Sequence, residues 1–201
     1  MGTNFNILIC EASPMFEQVL SSLQEIGRYS PEEQQQITER LTLLEMQKGE
    51  YLLQEGKICN HFYFIESGTA RHYYRTDELE EVNIHLSTAG SWVLDHQSFT
   101  SRKPSVNRIV CEESGKVWCI DIDALHELIG RSPVFFSLGR ILEGAAGNAY
   151  HVDIKSSPEE KYRKLLEEEP HLLQHFPLKQ IASYLGITPE TLSRVRKKIS
   201  L

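Results

Sequence analysis

Residues 178–199 read LKQIASYLGITPETLSRVRKKI, and this stretch decides how the rest of the chain is understood. Two short amphipathic helices are expected on either side of Gly186-Ile187-Thr188. Ile181, Ala182, Leu185, Ile187, Leu192 and Val195 supply the apolar positions that pack one helix on the other. Ala182 is small where the helices cross, and Gly186 suits the positive φ that ends the first helix. Thr188 is a good N-cap, and Pro189 fits the first position of the next helix. Thr188, Glu190, Thr191, Ser193 and Arg194 then crowd the exposed face of its first turns.

This pattern predicts a helix-turn-helix whose second helix enters the major groove of double-stranded DNA. Arg194 can fork onto guanine O6 and N7, and Glu190 can accept from a cytosine amine. Lys179, Arg196, Lys197 and Lys198 suit phosphates, which position a domain without reading sequence. The competing reading is a plain helical hairpin with a solvated basic end.

The charge distribution favours the first reading. The total is −7, but residues 177–201 carry Lys179, Arg194, Arg196, Lys197 and Lys198 against Glu190. That end is +4, leaving −11 for an acidic body that can be held away from phosphates. Cys10, Cys59, Cys111 and Cys119 show no CxxC spacing and read as ordinary thiols. With neither a signal peptide nor an apolar run long enough to span a bilayer, the expected setting is cytoplasmic, with no membrane partner.

Upstream, Ser13-Pro14 opens a first helix to about Ile26, and Ser30 with Glu33 forms a capping box for a second to about Leu44. Turn signals then recur at Gly49, Gly56, Gly68, Gly90 and Gly115, between strand-like runs at 61–65, 69–74 and 82–86. Residues 109–111 and 117–120 read as a hairpin across Glu113-Ser114-Gly115. Ser132-Pro133 caps a long helix on which Phe135, Leu138, Leu142, Ala145, Ala149 and Val152 recur at spacings of 3 and 4. Such a heptad seam predicts a homodimer. Ser157 and Glu160 form another capping box, for a helix to about Glu168.

The expected fold class is therefore α+β. An N-terminal double-stranded β-helix (jelly roll) with its leading helices occupies residues 1–131, a dimerisation helix 132–155, and a helix-turn-helix domain 156–201. No nucleophile elbow, phosphate-cradling glycine loop, HExxH or paired metal ligands are present, so neither an enzyme nor a metal or cofactor site is expected. His61, His72, His85 and His96 lie in the β region but read as surface or satisfied residues rather than haem ligands.

The segment Phe62-Tyr63-Phe64-Ile65-Glu66-Ser67-Gly68, the pair Ala89-Gly90 and the run Thr191-Leu192-Ser193-Arg194 together resemble the Crp/Fnr family of bacterial transcription regulators, from about Ser30 onward. The resemblance implies a homodimer on a two-fold symmetric operator, RNA polymerase as a partner, and a β-roll sensing an unknown small-molecule effector. Asp95, His96, Ser98 and Ser105 fall where that family's pocket lies. Cyclic-AMP-binding members carry Gly-Glu there, then Arg-Ser or Arg-Thr about ten residues on. Here Leu94-Asp95-His96 and Pro104-Ser105-Val106 stand instead, with Arg102 and Arg108 only in shifted register. A buried phosphate without its countercharge is costly, so control by cyclic AMP is not expected. Residues 170–176 are short for a hairpin, which implies a reduced wing. Two alternatives remain: a small-molecule sensor with protein–protein output and a vestigial helix-turn-helix, and a true cyclic-nucleotide-binding regulator.

Overall fold

The structure, a computed structural model, describes residues 16–142 and 156–199. Two helices lead, α1 (Glu17–Ile26) and α2 (Pro31–Thr38). The Ser30 capping box forms as its sequence requires: Ser30 Oγ accepts from the Glu33 N–H at 3.3 Å, and Glu33 Oε2 accepts from the Ser30 N–H at 2.9 Å. The helix nevertheless ends at Thr38, well short of Leu44. Residues 42–46 become strand β1 (Thr42–Met46), paired residue for residue with 115–119. Pairing across the sheet overrides the local helical signal there.

The sheet is antiparallel and six-stranded. Besides β1 it contains β2 (Tyr51–Leu53), β3 (His61–Arg75), β4 (Glu81–Ser87), β5 (Trp92–Val93) and β6 (Arg108–Asp121). The main order is β1-β6-β3-β4, with β2 on β6 and β5 on β3. The hairpin expected between 109–111 and 117–120 is not formed, because both runs belong to the continuous strand β6. Likewise Ser67-Gly68 is not a turn but the middle of β3.

Both glycines mark a close crossing. A Cβ on Gly115 would lie 2.0 Å from the Ser67 carbonyl oxygen, and one on Gly68, at φ +83°, would lie 2.5 Å from that of Glu113. The β3–β6 register slips between Ile65 and Ala70, so both long strands bend at this point. The bend lets one pair of strands serve two ends of the roll.

Between β5 and β6 sits the short helix α3 (His96–Ser101). After β6 comes α4 (Ile122–Arg131), N-capped by Asp121, whose Oδ1 accepts from the Ala124 N–H at 2.8 Å. The core joins α1, the sheet and α4 through Leu23, Phe62, Phe64, Trp118 and Leu128.

Ser132-Pro133 opens a 3-10 helix (Pro133–Leu138), without a side-chain cap, and residues 139–142 continue as α-helix. Phe135 (0 % exposed) and Leu138 (3 %) lie in the chain's own core, with Tyr29 stacked on Phe135 at 6.0 Å. These two are therefore not free to line a seam between subunits, and Leu142 packs partly against the same core. Ala145, Ala149 and Val152 lie outside the described residues.

The C-terminal region has its own apolar centre. Helices α5 (Pro158–Glu168), α6 (Leu172–His175), α7 (Leu178–Tyr184) and α8 (Pro189–Ile199) pack around Leu165, Phe176, Ile181 and Leu192. Ser157 and Glu160 make the expected capping box on α5. Residues 170–176, read as too short for a hairpin, hold the one-turn helix α6.

Phe135→Ala should cost about 3–5 kcal/mol in denaturant titration, as for other buried phenylalanines. The cost should be the same at every protein concentration. A cost that grows with rising concentration would return Phe135 to an interface between subunits.

Candidate nucleic-acid interface and effector pocket

Helix α7 ends in a left-handed glycine turn. Gly186 has φ +63°, its N–H donates to Ser183 O at 3.0 Å, and the Ile187 N–H donates to Ala182 O at 3.0 Å. This pair of reversed bonds is a Schellman motif, and it closes the helix where a side chain would be strained. Two residues on, Thr188 Oγ1 accepts from the Thr191 N–H at 3.2 Å and caps α8. Beneath the turn Ile181, Ala182, Leu192 and Val195 are buried, so the angle between α7 and α8 is set by packing.

The opposite face of α8 is open. Thr188, Pro189, Glu190, Ser193, Arg194 and Lys197 are exposed, Thr191 and Arg196 half-buried, and Lys179 exposed on α7. Arg194 lies back along its own helix, its Nε on Glu190 O at 3.4 Å and its Nη2 on Thr191 Oγ1 at 3.3 Å. The Glu190 carboxyl is held below its usual range by its own backbone N–H, by Thr188 and by the Arg194 charge, so it stays an acceptor. Lys198, exposed, pairs with Glu159 on α5. The surface therefore offers a fork of donors, a carboxylate and flanking cations on one rigid helix.

The β-roll pocket is built differently from what its sequence suggests. Asp95 is 2 % exposed, and its carboxylate is fully engaged. It accepts from the Ser98 N–H at 2.7 Å, Ser105 Oγ at 2.8 Å and Asn107 Nδ2 at 2.7 Å. His72 Nε2 stands 3.5 Å from Oδ2, a close contact rather than a well-formed hydrogen bond. Burial alone would raise the carboxyl's pKa, but His72 and the three donors outweigh it and hold it far below the usual range.

Asp95 thus caps α3 and ties that helix to the loop before β6. Ser98 completes the closure: its Oγ accepts from the Cys59 N–H at 3.0 Å and donates to Lys103 O at 2.6 Å. His96, proposed from sequence as part of the pocket, is not among the groups on Asp95. It is half-buried, and as the first residue of α3 its carbonyl accepts from Thr100. Sequence reasoning missed Asn107 and discounted His72. The alternation of Ser105 and Asn107 toward one side was the available signal for the first.

No arginine enters this network. Arg102 donates to Cys59 O at 3.2 Å and to Asn60 Oδ1 at 2.6 Å, while Arg108 pairs with Glu55. A separate cavity in the roll, beside Thr69 and Cys111 and lined by none of the Asp95 network, measures about 10 Å³, room for a single water.

With this geometry in hand, comparison defines the class. Residues 43–132 match the family profile of the cyclic nucleotide-binding domain. Against curated protein sequences the chain finds no significant match. Among solved structures it is similar to FixK2 from Bradyrhizobium japonicum, with 19% identity, a TM-score of 0.67, and coverage of 80% of this chain and 84% of that one. It is similar also to the c-di-GMP-responsive global regulator CLP of Xanthomonas campestris, with 14% identity, a TM-score of 0.63, and coverage of 85% and 92%. The catabolite activator protein of Thermus thermophilus follows at 19% identity, a TM-score of 0.53, and coverage of 85% and 84%. Residues 43–132 are thus similar to the cyclic nucleotide-binding domain, and the fold of the chain is similar to that of the Crp/Fnr-type regulators. Among the described residues no helix is long and apolar enough to cross a membrane.

The Asp95 network has a pH signature. A carboxyl whose pKa is depressed by folding contributes stability that is full above its unfolded value, about 3.9. That contribution drains away as pH falls from there toward the folded value. Asp95→Asn should therefore flatten the acid limb of a stability–pH curve below about pH 4, while lowering stability at neutral pH. An acid limb of unchanged steepness would show that the carboxylate is not what the network holds.

Proposed function

We propose that this chain is a sequence-specific DNA-binding transcription regulator of the Crp/Fnr type. It acts as a homodimer on a two-fold symmetric operator, without control by cyclic AMP. The observation that carries this reading is the open face of α8, with Glu190 and Arg194 presented on a helix whose start is capped and whose underside is buried. Each α8 enters the major groove, Arg194 reading a guanine and Glu190 a cytosine amine, while Lys179, Arg196 and Lys197 meet phosphates. Two such helices address half-sites about 34 Å apart. Pairing of subunits falls to what remains of the heptad seam expected from the sequence, at Leu142, Ala145, Ala149 and Val152. What supports independence from cyclic AMP is the Asp95 network itself, which fills the pocket with the chain's own donors and leaves no arginine for a phosphate.

Selection of bound fragments from sheared genomic DNA should return an inverted repeat, and unrelated fragments would count against the reading. Arg194→Ala should weaken binding to that repeat by about 1–3 kcal/mol and relax specificity at one symmetric base pair. Lys197→Ala should weaken all sequences alike and flatten the dependence of log K on log salt. Cyclic AMP at millimolar concentration should leave the melting temperature unchanged, where a bound ligand would raise it.

A further inference from the structure

Strand β4 is an edge of the sheet, and an exposed edge needs a partner or a cover. Here the cover is α7. The Asn83 N–H donates to Ser183 Oγ at 2.9 Å, and that hydroxyl donates onward to Glu81 O at 3.1 Å. One serine thus supplies the acceptor and the donor that a neighbouring strand would supply. Asn83 Nδ2 adds a bond to Gln180 O at 3.1 Å, and Leu86, 2 % exposed, is buried among the side chains of the C-terminal helices.

The dock is wired to the pocket. Arg71 on β3 fixes the Asn83 amide from beneath, its Nη1 on Asn83 Oδ1 at 3.1 Å and on Glu81 Oε2 at 2.8 Å, its Nε on Glu112 Oε1 at 2.7 Å. The next residue, His72, points the other way and stands at Asp95. The β3–β4 register slips just beyond these two residues, between His72 and Tyr73.

The dock also has an electrical consequence. Asp77, Glu78 and Glu80 are exposed in the turn that leads into β4, while Glu81 beside them is paired with Arg71 and Arg75. Lys179, a phosphate contact in the reading above, is the neighbour of Gln180. Phosphates approaching that end of α7 come near carboxylates, with a screening length of about 10 Å at 0.1 M salt.

We infer that the β4 edge is an inhibitory latch, holding the α7–α8 pair against the acidic rim of the β-roll through Ser183, and that release of the latch raises affinity for DNA. This rests on the DNA-binding reading for its output but not for its existence. A change at Asp95 reaches the latch through the single step from His72 to Arg71.

Ser183→Ala is the direct test, because alanine is at least as good a helix former as serine and α7 itself should persist. Hydrogen exchange at the Asn83 amide and through residues 178–184 should quicken by about tenfold in the variant. Ser183→Thr, which keeps the hydroxyl, should restore protection. Affinity for a pool of random-sequence duplexes should rise several-fold at low salt, with the gain vanishing as salt screens the carboxylates. Unchanged exchange in Ser183→Ala overturns the latch, and a fall in DNA affinity overturns its inhibitory sense. If neither form binds duplex at any salt, the DNA-binding reading and with it the inhibitory sense fail, while the exchange result still decides whether the latch exists.

Discussion

Two backbones pass within contact distance of each other at Gly68 and Gly115, and the β-roll depends on that approach. Each glycine faces the other strand's carbonyl oxygens at distances no side chain could share. Because neither carries a Cβ, β3 and β6 remain paired through a bend instead of parting into separate hairpins. One pair of long strands therefore carries β1 and β5 at one end and β2 and β4 at the other. The Asp95 network and the dock for α7 are both built on strands that this bend aims.

The two sites differ in how they hold charge. In the roll a carboxylate is buried among three donors, with His72 beside it, so folding and satisfaction of the site are one event. Such a site has little left to offer a second anion. On α8 the charged groups sit in water, and what is buried is the apolar side that fixes their direction. The first arrangement favours a closed scaffold, while the second leaves its charged groups open to solvent.

Local signals were read well where the physics is local. The glycine turn at 186, the Thr188 cap and the Ser30 and Ser157 capping boxes each involve atoms within three or four residues, and each formed as its residue types require. Signals shared between local and distant causes misled. Gly68 and Gly115 read as turns because a turn and a close crossing both select glycine. Residues 39–44 read as helix because a capping box marks where a helix starts and says nothing of where it stops. Phe135 and Leu138 recur at heptad spacing, yet a core and a subunit seam present the same apolar period, and the core took them.

By itself the sequence determined the α7–turn–α8 unit, the polar identity of its open face and the segregation of positive charge at one end. These follow from residue type and short spacing, which the chain cannot change by folding. Only the tertiary structure decided that Asp95 is spent on Ser98, Ser105 and Asn107, that His72 rather than His96 stands beside it, and that Ser183 closes the edge of β4. Those partners lie up to a hundred residues apart, and a hydrogen bond of 3 Å is decided by where strands and helices come to rest, which no spacing along the chain records.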